Sequence, residues 1–100
     1  MSETGVSMAE PGVLRLAGVL DYRSGPALRK QGKALVEASK EPRLILDCSA
    51  VDKSSSVGLS LLLAFIRDGQ ATGKVCEVRG MPEDMREIAE VYDLDEVLAS

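Results

Sequence analysis

The stretch from Leu44 to Ile66, LILDCSAVDKSSSVGLSLLLAFI, narrows what this chain can fold into more than any other. Its start, Leu44–Cys48, reads as a short apolar strand, and a polar loop follows. The loop brings three consecutive serines, Ser54, Ser55 and Ser56, to the start of a leucine-rich helix. Serine ahead of an apolar helical run is an N-cap signal, because its hydroxyl oxygen accepts a free backbone N–H of the first turn. The same helix end favours anions through its orphan donors and its dipole. The serines therefore carry two readings, as caps alone or as hydroxyls placed where a phosphate is tolerated.

The rest of the chain alternates strand and helix signals. Val6–Met8 reads as a short strand, with Glu10-Pro11-Gly12 a turn. Val13–Ala17 reads as a strand, with Gly18–Asp21 leading out of it. Ser24-Gly25-Pro26 reads as a helix start, Ser24 the cap and Pro26 in the first turn. That helix runs to about Ser39 with Ala27, Leu28, Gln31, Ala34, Leu35 and Ala38 on one side. Gly32 weakens it by up to ~1 kcal/mol relative to Ala. Arg43–Asp47 is a strand, and its unalternated Leu-Ile-Leu implies helices over at least one sheet face. Val57–Ala71 is the leucine-rich helix, stopped at Thr72-Gly73-Lys74. Val75–Val78 is a strand. Pro82–Tyr92 is a helix with Met85, Ile88, Ala89 and Tyr92 at i, i+3, i+4 and i+7. Leu94–Leu98 is ambiguous. The order predicts an α/β fold, one mixed sheet with helices packed on it.

Composition removes several function classes. One hundred residues make one domain with one core. A net charge of −4 argues against a nucleic-acid binder, which carries a basic face. No apolar run approaches the ~20 residues that span a bilayer. The first twelve residues, MSETGVSMAEPG, are polar and lack a signal-peptide pattern. Cys48 and Cys76 lie in apolar strand-like runs and read as buried, reduced thiols of a cytosolic protein. There is no histidine, hence no Ser-His-Asp triad, no Cys-His pair and no His-containing zinc site. No phosphate-binding glycine loop is present. The reading is a non-enzyme with no cofactor and no metal site. Glu83-Asp84 complements a helix dipole, and Arg29, Lys30 and Lys33 form a solvated basic edge.

Within the leucine-rich helix, Leu59, Leu62, Leu63 and Ile66 share an arc of about 100°, the width of a core-facing stripe. Leu61 and Phe65 lie on another side, near Ala64 and Asp68. Either a neighbouring segment of the domain covers them, or they form an apolar patch for a partner, with Phe65 its aromatic anchor.

The pieces Asp47-Cys48-Ser49, Val51-Asp52 and Ser56-Val57-Gly58-Leu59 resemble the signature of the STAS domain family, the fold of anti-sigma-factor antagonists and of sulfate-transporter C-terminal domains. Val13–Asp21, Val75–Gly80 and Tyr92-Asp93-Leu94 extend the resemblance over roughly Val6 to Leu98. It implies a single STAS domain over residues 1–100, core about 6–98, with a mixed, mostly parallel sheet of four to five strands and three or so helices. The short length, GLSLLLAFI and the late VYDL look most like the small STAS subunits of bacterial phospholipid-transport ABC complexes. That likeness implies an accessory subunit that binds and stabilises the cytoplasmic ATPase subunit. It would be peripheral to the inner membrane through that partner, without inserting, and would serve outer-membrane lipid asymmetry. The implied partner-binding residues are Ser55, Ser56, Val57, Ser60, Leu61, Ala64 and Phe65. The other implied role is an anti-sigma-factor antagonist switched by phosphate on Ser56. The phosphorylated members carry Asp before and Ser after that position, where this chain has Ser55 and Val57.

Overall fold

A computed structural model describes residues 3–94 and 98. Strand β1 (Gly5–Glu10) turns at Pro11-Gly12 into β2 (Val13–Leu20). Helix α1 (Gly25–Ala38) crosses to β3 (Arg43–Ser54), α2 (Ser56–Ala71) to β4 (Val75–Arg79), and α3 (Glu83–Val91) follows. The four strands lie in sequence order. β1 is antiparallel to β2, while β2–β3 and β3–β4 are parallel. This is the mixed, mostly parallel sheet with three helices expected from the sequence. The ambiguous Leu94–Leu98 falls largely outside the described residues, but Leu98 itself is buried.

The strands alternate because one sheet face is covered and the other is wet. Leu14, Leu16 and Leu20 of β2 and Leu44, Leu46 and Cys48 of β3 point into the core with Leu59, Leu62, Phe65 and Met85 of the helices. On the opposite face Arg15, Asp47 and Arg79 stand side by side in register. Arg15 lies 3.7 Å from Asp47, and Arg43 and Arg79 both pair with Glu77.

Four sequence expectations shift, two at element ends and two on α1. The segment Ser49–Ser54, read as a polar loop, is strand. β2 supplies its partners, Ala17 to Ala50 and Leu20 to Ser54, and two register irregularities let the polar residues stay in the ladder. Ser24 occupies the N-cap position of α1 but does not cap with its side chain. Its hydroxyl donates instead to the Val19 carbonyl at 2.8 Å, and the preceding turn is held by Asp21, whose carboxylate accepts from the Arg23 and Ser24 amides.

The buried face of α1 is Gly25, Leu28, Gly32 and Val36, while Ala27, Gln31, Ala34 and Ala38 are exposed. The reason is α2. A Cβ on Gly32 would lie 2.3 Å from the Phe65 ring, so only a residue without a side chain lets the two helices close to this distance. Arg29 of α1 clamps the same contact. It reaches Asp68 through two hydrogen bonds, 2.5 and 3.1 Å, with its guanidinium 5.8 Å from the Phe65 ring centre. Arg29 is therefore a paired interhelical residue rather than part of a solvated basic edge. At the far end of the crossover, buried Lys74 donates to the carbonyls of Ser39 and Glu41 at 2.6 and 2.9 Å. It ties the start of β4 to the end of α1.

Candidate functional site

The β3–α2 junction is tied down by one serine and left open at the next. Ser55 is the N-cap, and its side chain accepts from the Val57 amide at 3.2 Å. Its backbone amide and its hydroxyl both donate to the Leu20 carbonyl, at 3.0 and 3.4 Å, so the cap is anchored to the end of β2. Ser54 donates its hydroxyl to the Ser55 carbonyl at 2.8 Å. Its amide approaches the Asp84 carboxylate at 3.4 Å, which links the junction to the first turn of α3. Ser56, the first residue of α2, is exposed, and its hydroxyl takes part in none of the hydrogen bonds among the described residues. One turn on, exposed Ser60 donates to the Ser56 carbonyl at 3.4 Å. The capping and free-hydroxyl readings thus apply to neighbouring residues, Ser55 and Ser56.

The sequence-derived site residues separate into two groups. Ser55, Ser56 and Ser60 are exposed, and Val57 and Ala64 are half-buried beside them. Leu61 and Phe65 are core residues, Phe65 fully buried. Their proposed place on a partner surface is corrected by the α1–α2 contact: the ring fills the slot opened by Gly32, so α1 is the cover for that side of α2. In exchange, Leu63 and Ile66, assigned to the core stripe, are only half-buried.

Sequence reasoning missed the flanks. On the α1 side, Tyr22 is 72% exposed beside Pro26, Val57 and Ser60. On the α3 side, an open groove of about 520 Å³ is lined by Ser55, Ser56, Glu87, Ile88, Val91 and Tyr92. Tyr92 and Val91 are 60% and 80% exposed, although Tyr92 completes the apolar spacing of α3. The helix ends at Val91, and Asp93 in the left-handed region (φ 60°) turns the chain away, so the stripe stops short of Tyr92. The Tyr-Asp step after a short amphipathic run was the available signal.

Burial and neighbouring charges set the protonation of the two thiols and of Asp47. Burial pushes the Cys48 thiol up to about 12, with the nearby Asp47 charge adding to the effect. Burial also raises Cys76, partly offset by Lys74. Neither thiol is an activated nucleophile. Burial alone would raise Asp47, but hydrogen bonds from Ser49 and the Arg15 charge outweigh it and hold the carboxyl below its usual value. No histidine is available to activate Ser56. Among the described residues no cluster of three His, Cys, Asp or Glu side chains forms a metal site, and no helix is long and apolar enough to cross a membrane.

A family model described as "Mlab, STAS domain" matches residues 6–99. Several solved structures share the architecture, among them the following three. A chain of the Acinetobacter MlaFEDB complex in an ATP-bound conformation superimposes with a TM-score of 0.79 at 19% identity, covering 93% of this chain and 95% of that one. An anti-sigma factor antagonist from Mycobacterium paratuberculosis gives 0.70 at 30% identity, covering 94% and 80%. The anti-sigma factor antagonist SpoIIAA in its unphosphorylated form gives 0.72 at 18% identity, covering 93% and 83%.

Proposed function

The chain belongs to the STAS domain family, and from that membership we propose that it is a non-enzymatic accessory subunit of a bacterial phospholipid-transport ABC complex. It binds the cytoplasmic ATPase subunit and so sits at the inner membrane without inserting into it, in the service of outer-membrane lipid asymmetry. The observation that carries the reading is the kind of STAS domain matched, the MlaB kind, over residues 6–99. Two features support it. The chain and its neighbour in the MlaFEDB complex span each other almost completely, 93% and 95%. The exposed Ser55–Ser56–Ser60 edge, flanked by Tyr22 and Tyr92, gives a small-residue surface between two aromatics. Small hydroxyl residues let a partner backbone approach closely, and flanking aromatics supply anchor area. Val57 and Ala64 lie half-buried along the same edge, while Leu61 and Phe65 support it from beneath.

A second reading is an anti-sigma-factor antagonist switched by phosphate on Ser56. The 30% identity to the mycobacterial antagonist favours it, as does the unengaged Ser56 hydroxyl at a helix N-terminus. Affinity purification of the chain from its native membranes, with intact-mass analysis, decides between them. An ATPase with membrane subunits, and no phosphate on Ser56, supports the transporter reading. A kinase-type partner with a substantial population of Ser56 phosphate replaces it with the antagonist reading.

A further inference from the structure

We infer that the groove between α2 and α3 receives a basic amphipathic segment of a partner protein. This rests on the reading of the Ser56 edge as a docking surface, and it names the chemistry of what docks. The groove floor is apolar and incompletely covered: Ile88 is half-buried, Val91 and Tyr92 are largely exposed, and half-buried Leu63 lines an adjoining hollow that shares Ser56 and Tyr92 with the groove. Together they offer a row of apolar side chains between two helices, the form into which an amphipathic segment lays its own apolar face.

The rim of the groove fixes the sign of the partner. Between Glu83 and Asp93 the chain carries five acids, Glu83, Asp84, Glu87, Glu90 and Asp93, against one base, Arg86. The net charge of that segment equals the −4 of the whole chain, so the remainder is balanced. None of the five is in an ion pair among the described residues, whereas four arginines elsewhere are paired with acids. Asp84 is engaged by the Ser54 and Met85 amides. Glu83, Glu87 and Glu90 are exposed on one face, where Arg86 is the one base among them, and Glu87 also lines the apolar groove. A net acidic field beside an apolar floor steers and orients a cationic partner, and it repels an anionic lipid surface.

The test uses the full chain, labelled with ¹⁵N, and a synthetic amphipathic peptide of about 18 residues built from Leu and Lys at helical spacing. A twin with Glu in place of Lys serves as the control. The Leu/Lys peptide is expected to shift the amides of Ser56, Ile88, Val91 and Tyr92, and the twin is not. The triple variant Glu83→Gln, Glu87→Gln, Glu90→Gln is expected to bind it about tenfold more weakly, since each exposed pair contributes modestly. Val91→Ser, which removes apolar floor without adding charge, is expected to weaken it as well, with thermal melts confirming that both variants fold. Equal binding of both peptides, shifts confined to the sheet face, or wild-type affinity in the triple variant overturns the inference. Sedimentation that shows the chain dimerising through this groove, lost in Val91→Ser, overturns it in favour of a second copy as occupant. No ATPase enters this assay, so its outcome is independent of whether the transporter reading survives.

Discussion

Gly32 and Phe65 should show opposite signs of the same substitution in two backgrounds. Replacing glycine by alanine inside a helix ordinarily stabilises it by up to ~1 kcal/mol. Here the new methyl would sit 2.3 Å from the Phe65 ring, which is fully buried and cannot swing aside. Overpacking of this kind costs about 1–3 kcal/mol, so Gly32→Ala should destabilise by roughly 1 kcal/mol net. Phe65→Ala should cost about 3–5 kcal/mol through lost transfer energy and the cavity left behind. That is a large share of the ~5–15 kcal/mol that holds a domain together. In the Phe65→Ala background the clash is gone. The alanine at 32 then contributes its helix propensity and fills part of the void, so Gly32→Ala should stabilise by about 1 kcal/mol. The coupling is about 2 kcal/mol, within the range found for touching residues. Urea unfolding followed by circular dichroism on the four proteins measures it. If Gly32→Ala stabilises both backgrounds equally, the ring does not rest on Gly32, and the partner-surface role returns for Phe65.

The adjacent serines should part company in the same assay. Ser55→Ala is expected to cost about 1 kcal/mol as a lost cap, and Ser56→Ala less than about 0.5 kcal/mol. Ser56→Asp should fold normally, within about 0.5 kcal/mol of wild type in the same urea titrations, because the helix N-terminus favours a carboxylate there. Lys74→Met keeps the aliphatic stem but leaves two carbonyls without their charged donor, and should lower stability by about 1.5–3 kcal/mol, read from the urea midpoint. Cys48 makes stability fall in alkali. Its folded value of about 12 lies above the ordinary 9.0, so the native state keeps a proton that the unfolded chain releases. Its contribution is fully present below about pH 9 and is lost as pH rises towards 12. Cys48→Ala should flatten that limb between pH 8 and 10.5 in urea titrations, and an unchanged slope would refute the assignment.

Much of the architecture was legible because the strong signals are local. The Leu-Ile-Leu strand, the serine cap and the leucine-rich helix each appear where their residues imply. What failed was assignment of faces on α2. That helix is apolar on two sides because it is sandwiched, with the sheet beneath Leu59 and Leu62 and α1 beside Leu61 and Phe65. Periodicity on one helix cannot tell a second buried side from a surface patch. The missing information lay in α1, where Gly32 looked like a defect and is the slot for a ring. Ser49–Ser54 failed for a related reason: its polar composition suits a loop, but β2 offered a parallel ladder that composition does not record. The exposed tyrosines were hidden by the opposite fault. Tyr92 obeys the apolar spacing of α3 but lies just past its last turn.

The separation of duties between Ser55 and Ser56 bears on how such a domain can change over time. The residue that holds the helix start to β2 is not the one presented at the surface. Position 56 can therefore drift in size, polarity or charge, or accept a covalent group, with little penalty to folding. A lineage can exchange one binding partner for another there by single steps, each intermediate still a folded protein, while position 55 stays under a constraint that no change of partner relieves.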